Sequence, residues 1–314
     1  MHHRCPAKDQ GNTRPSAMGA SLKSAASVPE EYHPQQIAPA QRRNRMKTIR
    51  LHHWPYAIFR SSRRPPGLYA RQKWLQEASS PRWKADFDAT VSGLFRGQSD
   101  DGLWSGSPIE TIQRLFGLHL TVRTSNPAID KSLDALLTIE PAVRWAEETT
   151  PVSEARLCGL PFAPADRQFV ILPAALFLAT IFGRASNPTV LGRYDRIAAD
   201  LTAAPLAQRD PAALHNILRA FVVHPGYATH AATGLLAAWL ANRQTPQGDW
   251  GPGIPFYQAL NALAHLDHPD ADRQLERAFV RLTQRQHPDG AWGETDRQWC
   301  TFLTVHALRN KGLI

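Results

Sequence analysis

Beyond Arg64-Pro65-Pro66, apolar and polar positions follow a helical period, and almost nowhere does the strict alternation of a half-buried strand appear. A short helix carrying Tyr69, Trp74 and Leu75 ends near Ser79-Ser80-Pro81. Five helix pairs follow: about 82–97 with 108–123, 127–138 with 165–183, 188–204 with 210–223, 228–243 with 253–267, and 270–286 with 294–310. Ser107-Pro108, Asn126-Pro127, Asn187-Pro188 and Asp210-Pro211 supply the start signals, a capping side chain followed by a proline that needs no helical hydrogen bond. The longest irregular insertion spans 140–163. The chain is expected to be all-α, built of antiparallel hairpins.

The members of a pair differ. Leading helices carry charge along one face, as in Asp270-Ala-Asp-Arg-Gln-Leu-Glu276-Arg277, whereas trailing helices are apolar nearly all round, as in Phe169-Val-Ile-Leu-Pro-Ala-Ala-Leu-Phe177-Leu. A helix apolar all round is buried all round. Trailing helices are therefore expected inside and leading helices outside.

The turns within three pairs repeat. Gln244-Thr-Pro-Gln-Gly248-Asp-Trp250-Gly and Gln286-His-Pro-Asp-Gly290-Ala-Trp292-Gly share Gln, Pro, Gly, Trp and the final Gly, and Gln98-Ser-Asp-Asp-Gly102-Leu-Trp104 is a shorter copy. Gln is expected to bond free backbone groups at helix ends, Gly to stop the first helix, and Trp to pack on a neighbour.

These residues resemble the QW repeat of squalene–hopene and oxidosqualene cyclases. The stretch Arg277-Ala278-Phe-Val-Arg281-Leu282 leading to Gln286, Gly290 and Trp292 follows the repeat's order of a basic residue, a small one, and an aromatic and aliphatic pair before the turn; Arg281 departs from the pattern, standing where the aromatic is expected. Trp239-Leu240 before Gln244 keeps the aromatic pair but lacks the head. The resemblance covers roughly 80–314 and extends to protein prenyltransferase β subunits. It implies an α/α toroid of five to six hairpins over 50–314, with the repeat Gln, Gly and Trp residues structural. It also implies an isomerase- or transferase-like protein that binds an isoprenoid or other apolar small molecule in a central cavity. A toroid without catalysis, serving as a lipid- or protein-binding module, is the alternative.

The chemistry of those families has no full counterpart. The acidic Asp-x-Asp-Asp is absent, and Asp296 and Cys300 have neither Asp-x-Cys spacing nor His306 within reach, since ten residues of helix span about 15 Å. No metal or cofactor is expected, and Cys300 reads as a buried thiol. An internal echo supplies other candidates: Asp166-Arg167-Gln168 and Asp296-Arg297-Gln298 both open trailing helices. Their simplest use is helix capping and bonding between turns. At a cavity mouth, Asp296 or Asp166 would serve as acid, and Arg297 or Arg167 would hold an anionic head group. His119 sits within the first trailing helix as a ligand-contact candidate, with His215, His265 and His306 on later ones. Glu147-Glu148 in the insertion reads as a solvated pair or part of a lid.

Composition adds limits. The chain has 314 residues, 43% hydrophobic, and a net charge of +9. Nine of its Lys and Arg residues against three acids place +6 in residues 1–50, so residues 1–49 are expected to be a disordered basic tail, with Met46 a candidate natural start. The body carries about +3, which argues against a nucleic-acid partner. No eighteen-residue apolar run occurs, and the three scattered cysteines form no pair. A cytoplasmic protein with peripheral membrane contact at most is expected.

Overall fold

Proline and its preceding cap recur as the device that starts helices. In the computed structural model, which describes residues 48–145 and 150–314, Ser80, Ser107, Asn126, Asn187, Asp210 and His268 each precede a proline. Each accepts a backbone N–H of the first turn through its side chain. This arrangement satisfies donors that a helix otherwise leaves free.

Among the described residues the chain forms eleven α-helices and no strand. They are α1 (Pro65–Lys73), α2 (Pro81–Phe95), α3 (Pro108–Thr121), α4 (Pro127–Ile139), α5 (Arg167–Ala179), α6 (Pro188–Ala203), α7 (Pro211–Phe221), α8 (Ala231–Arg243), α9 (Phe256–Leu263), α10 (Pro269–Gln284) and α11 (Arg297–Asn310). The all-α expectation and the five pairs stand. Residues 1–47 and 146–149 lie outside the described residues, and with them Met46, Glu147, Glu148 and nearly all of the expected tail. At residue 49 the chain already touches the folded body, where the Ile49 amide lies 3.4 Å from the Leu313 carbonyl.

Packing separates the two classes as their composition predicts. α1 packs on α3, α3 on α5, α5 on α7, α7 on α9, α9 on α11, and α11 returns to α1. The even-numbered, more exposed helices pack on these, α2 on α3, α4 on α5, α6 on α5, α8 on α7 and α10 on α9. The short first helix, read as a leader from sequence, thus joins this succession of more buried, inner helices by packing on both α3 and α11. Every residue of α5 after Arg167 is buried. With the π-turn Thr180–Arg184 it forms an eighteen-residue stretch long and apolar enough to cross a membrane, but 78% of that stretch is buried inside the protein.

The repeated turns are joints between hairpins. Gln98 Nε2 donates to the Gly102 carbonyl at 3.2 Å and to Ala128 at the start of α4 at 2.8 Å. Gln244 Nε2 donates to Gly248 at 3.2 Å and to Gln274 in α10 at 2.8 Å. Gln286 Nε2 donates to Gly290 at 3.1 Å and to His53 at 2.8 Å, while its Oε1 accepts from the His52 and His53 amides, both at 3.0 Å. Each Gln thus ties its own turn to the next outer element rather than capping its own helices, as sequence reasoning expected. In the last copy that element is the segment preceding α1.

The glycines have matching reasons. Gly102, Gly248 and Gly290 lie at φ +86°, +88° and +85°. A Cβ would fall 2.7 Å from the Lys131 carbonyl at Gly102, 2.7 Å from that of Arg277 at Gly248, and against that of Trp54 at Gly290. Trp104, Trp250 and Trp292 are fully buried. Trp250 Nε1 donates to Gln274 Oε1 at 2.8 Å and Trp292 Nε1 to the Leu282 carbonyl at 2.9 Å, whereas Nε1 of Trp104, in the shortest copy, has no acceptor.

Candidate functional site

The N-terminal ends of the inner helices, where sequence placed the acids, hold paired charges. Asp296 at the start of α11 is gripped by Arg64, with Nη1 to Oδ1 at 2.7 Å and Nη2 to Oδ2 at 3.2 Å, and accepts from the Cys158 thiol at 3.0 Å. Burial works to raise its pKa, but Arg64 and Cys158 outweigh it, and the carboxyl is held below the usual carboxylate range. A carboxylate so held is an ion-pair partner at neutral pH, not a proton donor. Burial pushes the neighbouring Cys300 thiol up to about 12, so it stays protonated.

The rest of the echo is occupied too. Arg297 Nη2 donates to both oxygens of Asp289 in the last repeated turn, at 2.6 and 2.8 Å. Arg167 pairs loosely with Glu140 at 3.6 Å. Asp166 is partly buried at the start of α5, and neither it nor Asp296 caps its helix through its side chain. The two glutamines do parallel work: Gln168 bonds the backbone of Arg144 through both ends of its amide, and Gln298 accepts from the Ser62 hydroxyl and donates to the Ile58 carbonyl. The echo therefore fastens preceding segments to the inner helices. The structure does not bring Asp296 or Asp166 to His119.

A different group gathers toward the C-terminal ends of the inner helices. His119 of α3 lies 5.8 Å from Phe116, 6.2 Å from Phe177 of α5 and 6.3 Å from Phe182, centroid to centroid. His306 of α11 lies 5.5 Å from His265, just beyond α9, 5.8 Å from Phe302 and 6.1 Å from Tyr69 of α1. Phe302 also meets Tyr69 at 5.3 Å and Trp299 at 5.4 Å, and Trp299 meets Phe116 at 5.7 Å. Cations join from two more positions: Arg123, after α3, stands 4.7 Å over Tyr69, and Arg219 of α7 stands 4.9 Å over Phe177. Side chains of α1, α3, α5, α7 and α11, with His265 just beyond α9, thus converge. Asp296 is ten residues up α11 from His306, about 15 Å by helical rise.

The electrostatics of this cluster have one sign. Burial, then Arg123, His306 and Arg219, pull the His119 imidazole down to about 3. Burial, then Arg219 and Arg123, pull His306 down to about 4. His265 falls well below its usual value through burial and through Arg219, His306, Lys311 and His119. All three are neutral at pH 7. His306 Nδ1 faces the Asn261 and Asn310 amides at 3.2 and 3.4 Å, which assigns the proton to Nε2. All three residues nevertheless retain a small access to solvent.

Of the histidines that sequence placed on inner helices, His119, His265 and His306 land in this cluster. Arg219, Tyr69, Phe116 and Phe302 were not singled out; the available signal was an Arg within Ala213-Leu-His-Asn-Ile-Leu-Arg219-Ala-Phe221, a strongly apolar inner segment. Two surface depressions, around Glu110, Arg114 and Arg156 and around Arg277, Arg281 and Arg285, contain no member of the cluster. Among the described residues no group of three or more His, Cys, Asp or Glu is placed to hold a metal ion.

No family model and no curated protein matches the chain. A solved structure described as the crystal structure of a protein from Actinoplanes is similar to it, with 19% identity over 79% of this chain and 88% of that one and a TM-score of 0.48.

Proposed function

We propose that the chain is an α/α toroid akin to the squalene cyclase and prenyltransferase group, and that the cluster inside it binds an isoprenoid or another apolar small molecule. The observation that carries this reading is the convergence of Tyr69, Phe116, Phe177, Phe182, Trp299 and Phe302 around largely buried imidazoles of the inner helices. Ligand sites of this kind are concave and aromatic, with a few convergent polar groups. The return of α11 to α1, and the bonding of the last repeated turn to the segment before α1, support the toroidal arrangement.

Binding is better supported than protonation-initiated cyclisation. Asp296 is ionised beside Arg64, and the groups around His119 are cationic, which would repel a carbocation. A binding module without turnover is therefore the second reading. Incubation of the purified protein with isoprenoid alcohols and diphosphates, followed by extraction and mass spectrometry, tests both. Retained ligand of unchanged mass supports binding, a product of new mass supports an enzyme, and neither retention nor product would overturn the reading.

A further inference from the structure

Among the described residues, Arg219 is a buried cation without an anion. Its side chain belongs to a residue only 4% exposed, and its Nε and Nη1 have no hydrogen-bond acceptor. No carboxylate of the described residues offsets its burial, which lowers its pKa to about 9. At pH 7 it still carries its charge. Phe177 lies against its guanidinium, and the C-terminal ends of the inner helices offer partial negative charge, but neither supplies the acceptors that a guanidinium's five donors require. Leaving a buried charge unpaired destabilises a fold, which makes this guanidinium a place for a partner that arrives from outside.

The surroundings specify that partner. Arg219 is close enough to His119, His265 and His306 to depress all three, Arg123 adds to the field at His119 and His306, and Lys311 adds to it at His265. The aromatic rings provide an apolar wall beside these cations. Of the two arginines that are buried among the described residues, Arg71 has Asp86 at 2.8 Å and Arg219 has no carboxylate; Arg193 and Arg209, each with an unpartnered Nη1, are partly exposed.

We propose that Arg219 is the receptor for the anionic head of the bound molecule, a carboxylate or phosphate group carried on an apolar body. This rests on the inner cluster being the ligand site, and it replaces Arg297 and Arg167 as the head-group residues. A charged hydrogen bond formed out of water would favour the anion over a neutral analogue by about tenfold or more. The neutral histidines would act as further donors or acceptors around the same head.

Titration calorimetry with dodecanoate, dodecanol and inorganic phosphate, on the wild type and on Arg219→Met, tests the proposal. Dodecanoate is expected to bind the wild type at least tenfold more tightly than dodecanol. Arg219→Met should abolish that preference while leaving dodecanol affinity unchanged. Because Met removes an unpaired buried charge at similar volume, the variant should match or exceed the wild type in urea resistance, so loss of binding is not loss of folding. Phosphate binding that Arg219→Met removes, without amphiphile binding, upholds the receptor and sinks the apolar-ligand reading. Equal affinity for dodecanoate and dodecanol overturns the receptor and leaves the apolar-ligand reading standing. A preference that survives Arg219→Met, or no binding of any probe, also overturns it.

Discussion

Gly248 and Gly251 lie three residues apart in one repeated turn, and alanine at each should separate two costs that sequence conflates. Both have positive φ, +88° and +73°. An L side chain in that region costs about 1–2 kcal/mol. At Gly251 no atom lies within 4 Å of the added Cβ, so that is the whole cost. At Gly248 the Cβ meets backbone: the Arg277 carbonyl oxygen at 2.7 Å, its carbon at 2.9 Å and Ala278 Cα at 3.2 Å, all in α10. A helix cannot yield as a flexible side chain can, and overpacking of this kind adds about 1–3 kcal/mol. Gly248→Ala should therefore lose about 2–5 kcal/mol against about 1–2 for Gly251→Ala. With a urea slope of about 3 kcal/mol/M, their midpoints should differ by about 0.3–1 M in a far-ultraviolet circular dichroism melt. Equal midpoints would refute the claim that the turn glycine exists to admit the next outer helix.

Other expectations follow from the joints and from the charges. Gln286→Ala removes four backbone contacts to the segment before α1 and to its own turn, and should cost about 2 kcal/mol after allowance for their exposure; Gln244→Ala should cost less, because Gln244 Oε1 is itself buried without a partner. Faster hydrogen exchange at the His52 and His53 amides would locate the Gln286 effect. Asp296→Asn should cost about 1 kcal/mol at pH 7, since Arg64 is half exposed. The Asp296 pKa is lowered by folding, so its contribution is present above the unfolded value near 4 and is lost as pH falls through the folded value. The gap between wild type and variant should close below pH 4 in urea melts. His119 and His306 are likewise held neutral, which stabilises the fold above about pH 6.5 relative to acid; stability should fall by up to about 1.4 kcal/mol per pH unit for each as pH drops toward their folded values, and His119→Phe should lessen that slope. An unchanged slope would show that His119 titrates freely.

Fold was more legible than site, for physical reasons. Helix starts are local, so Ser107-Pro108 and Asp210-Pro211 announced α3 and α7 directly. Burial all round was equally readable from Phe169–Phe177 and assigned α5 to the interior. The closing of the cycle was not readable, because the partner of Gln286 is an irregular segment 233 residues away, around His53, with no helical period. Asp296 and Arg297 stood out in sequence by their echo with Asp166 and Arg167, but an echo marks a repeated task, and here the repeated task is fastening by Gln168 and Gln298. Arg219 was hidden because sequence does not show whether an arginine has a carboxylate beside it. His119 was legible only as one histidine among several on inner helices.

The measurement that bears most directly on the central claim is a structure of the protein with a bound isoprenoid alcohol or fatty carboxylate. The ligand is expected among Tyr69, Phe116, Phe302 and His119, inside the cycle of inner helices, with an anionic head at Arg219. A ligand seated at the Asp296 and Arg297 end, or on the outer helices with the inner cluster closed around its own side chains, would contradict it.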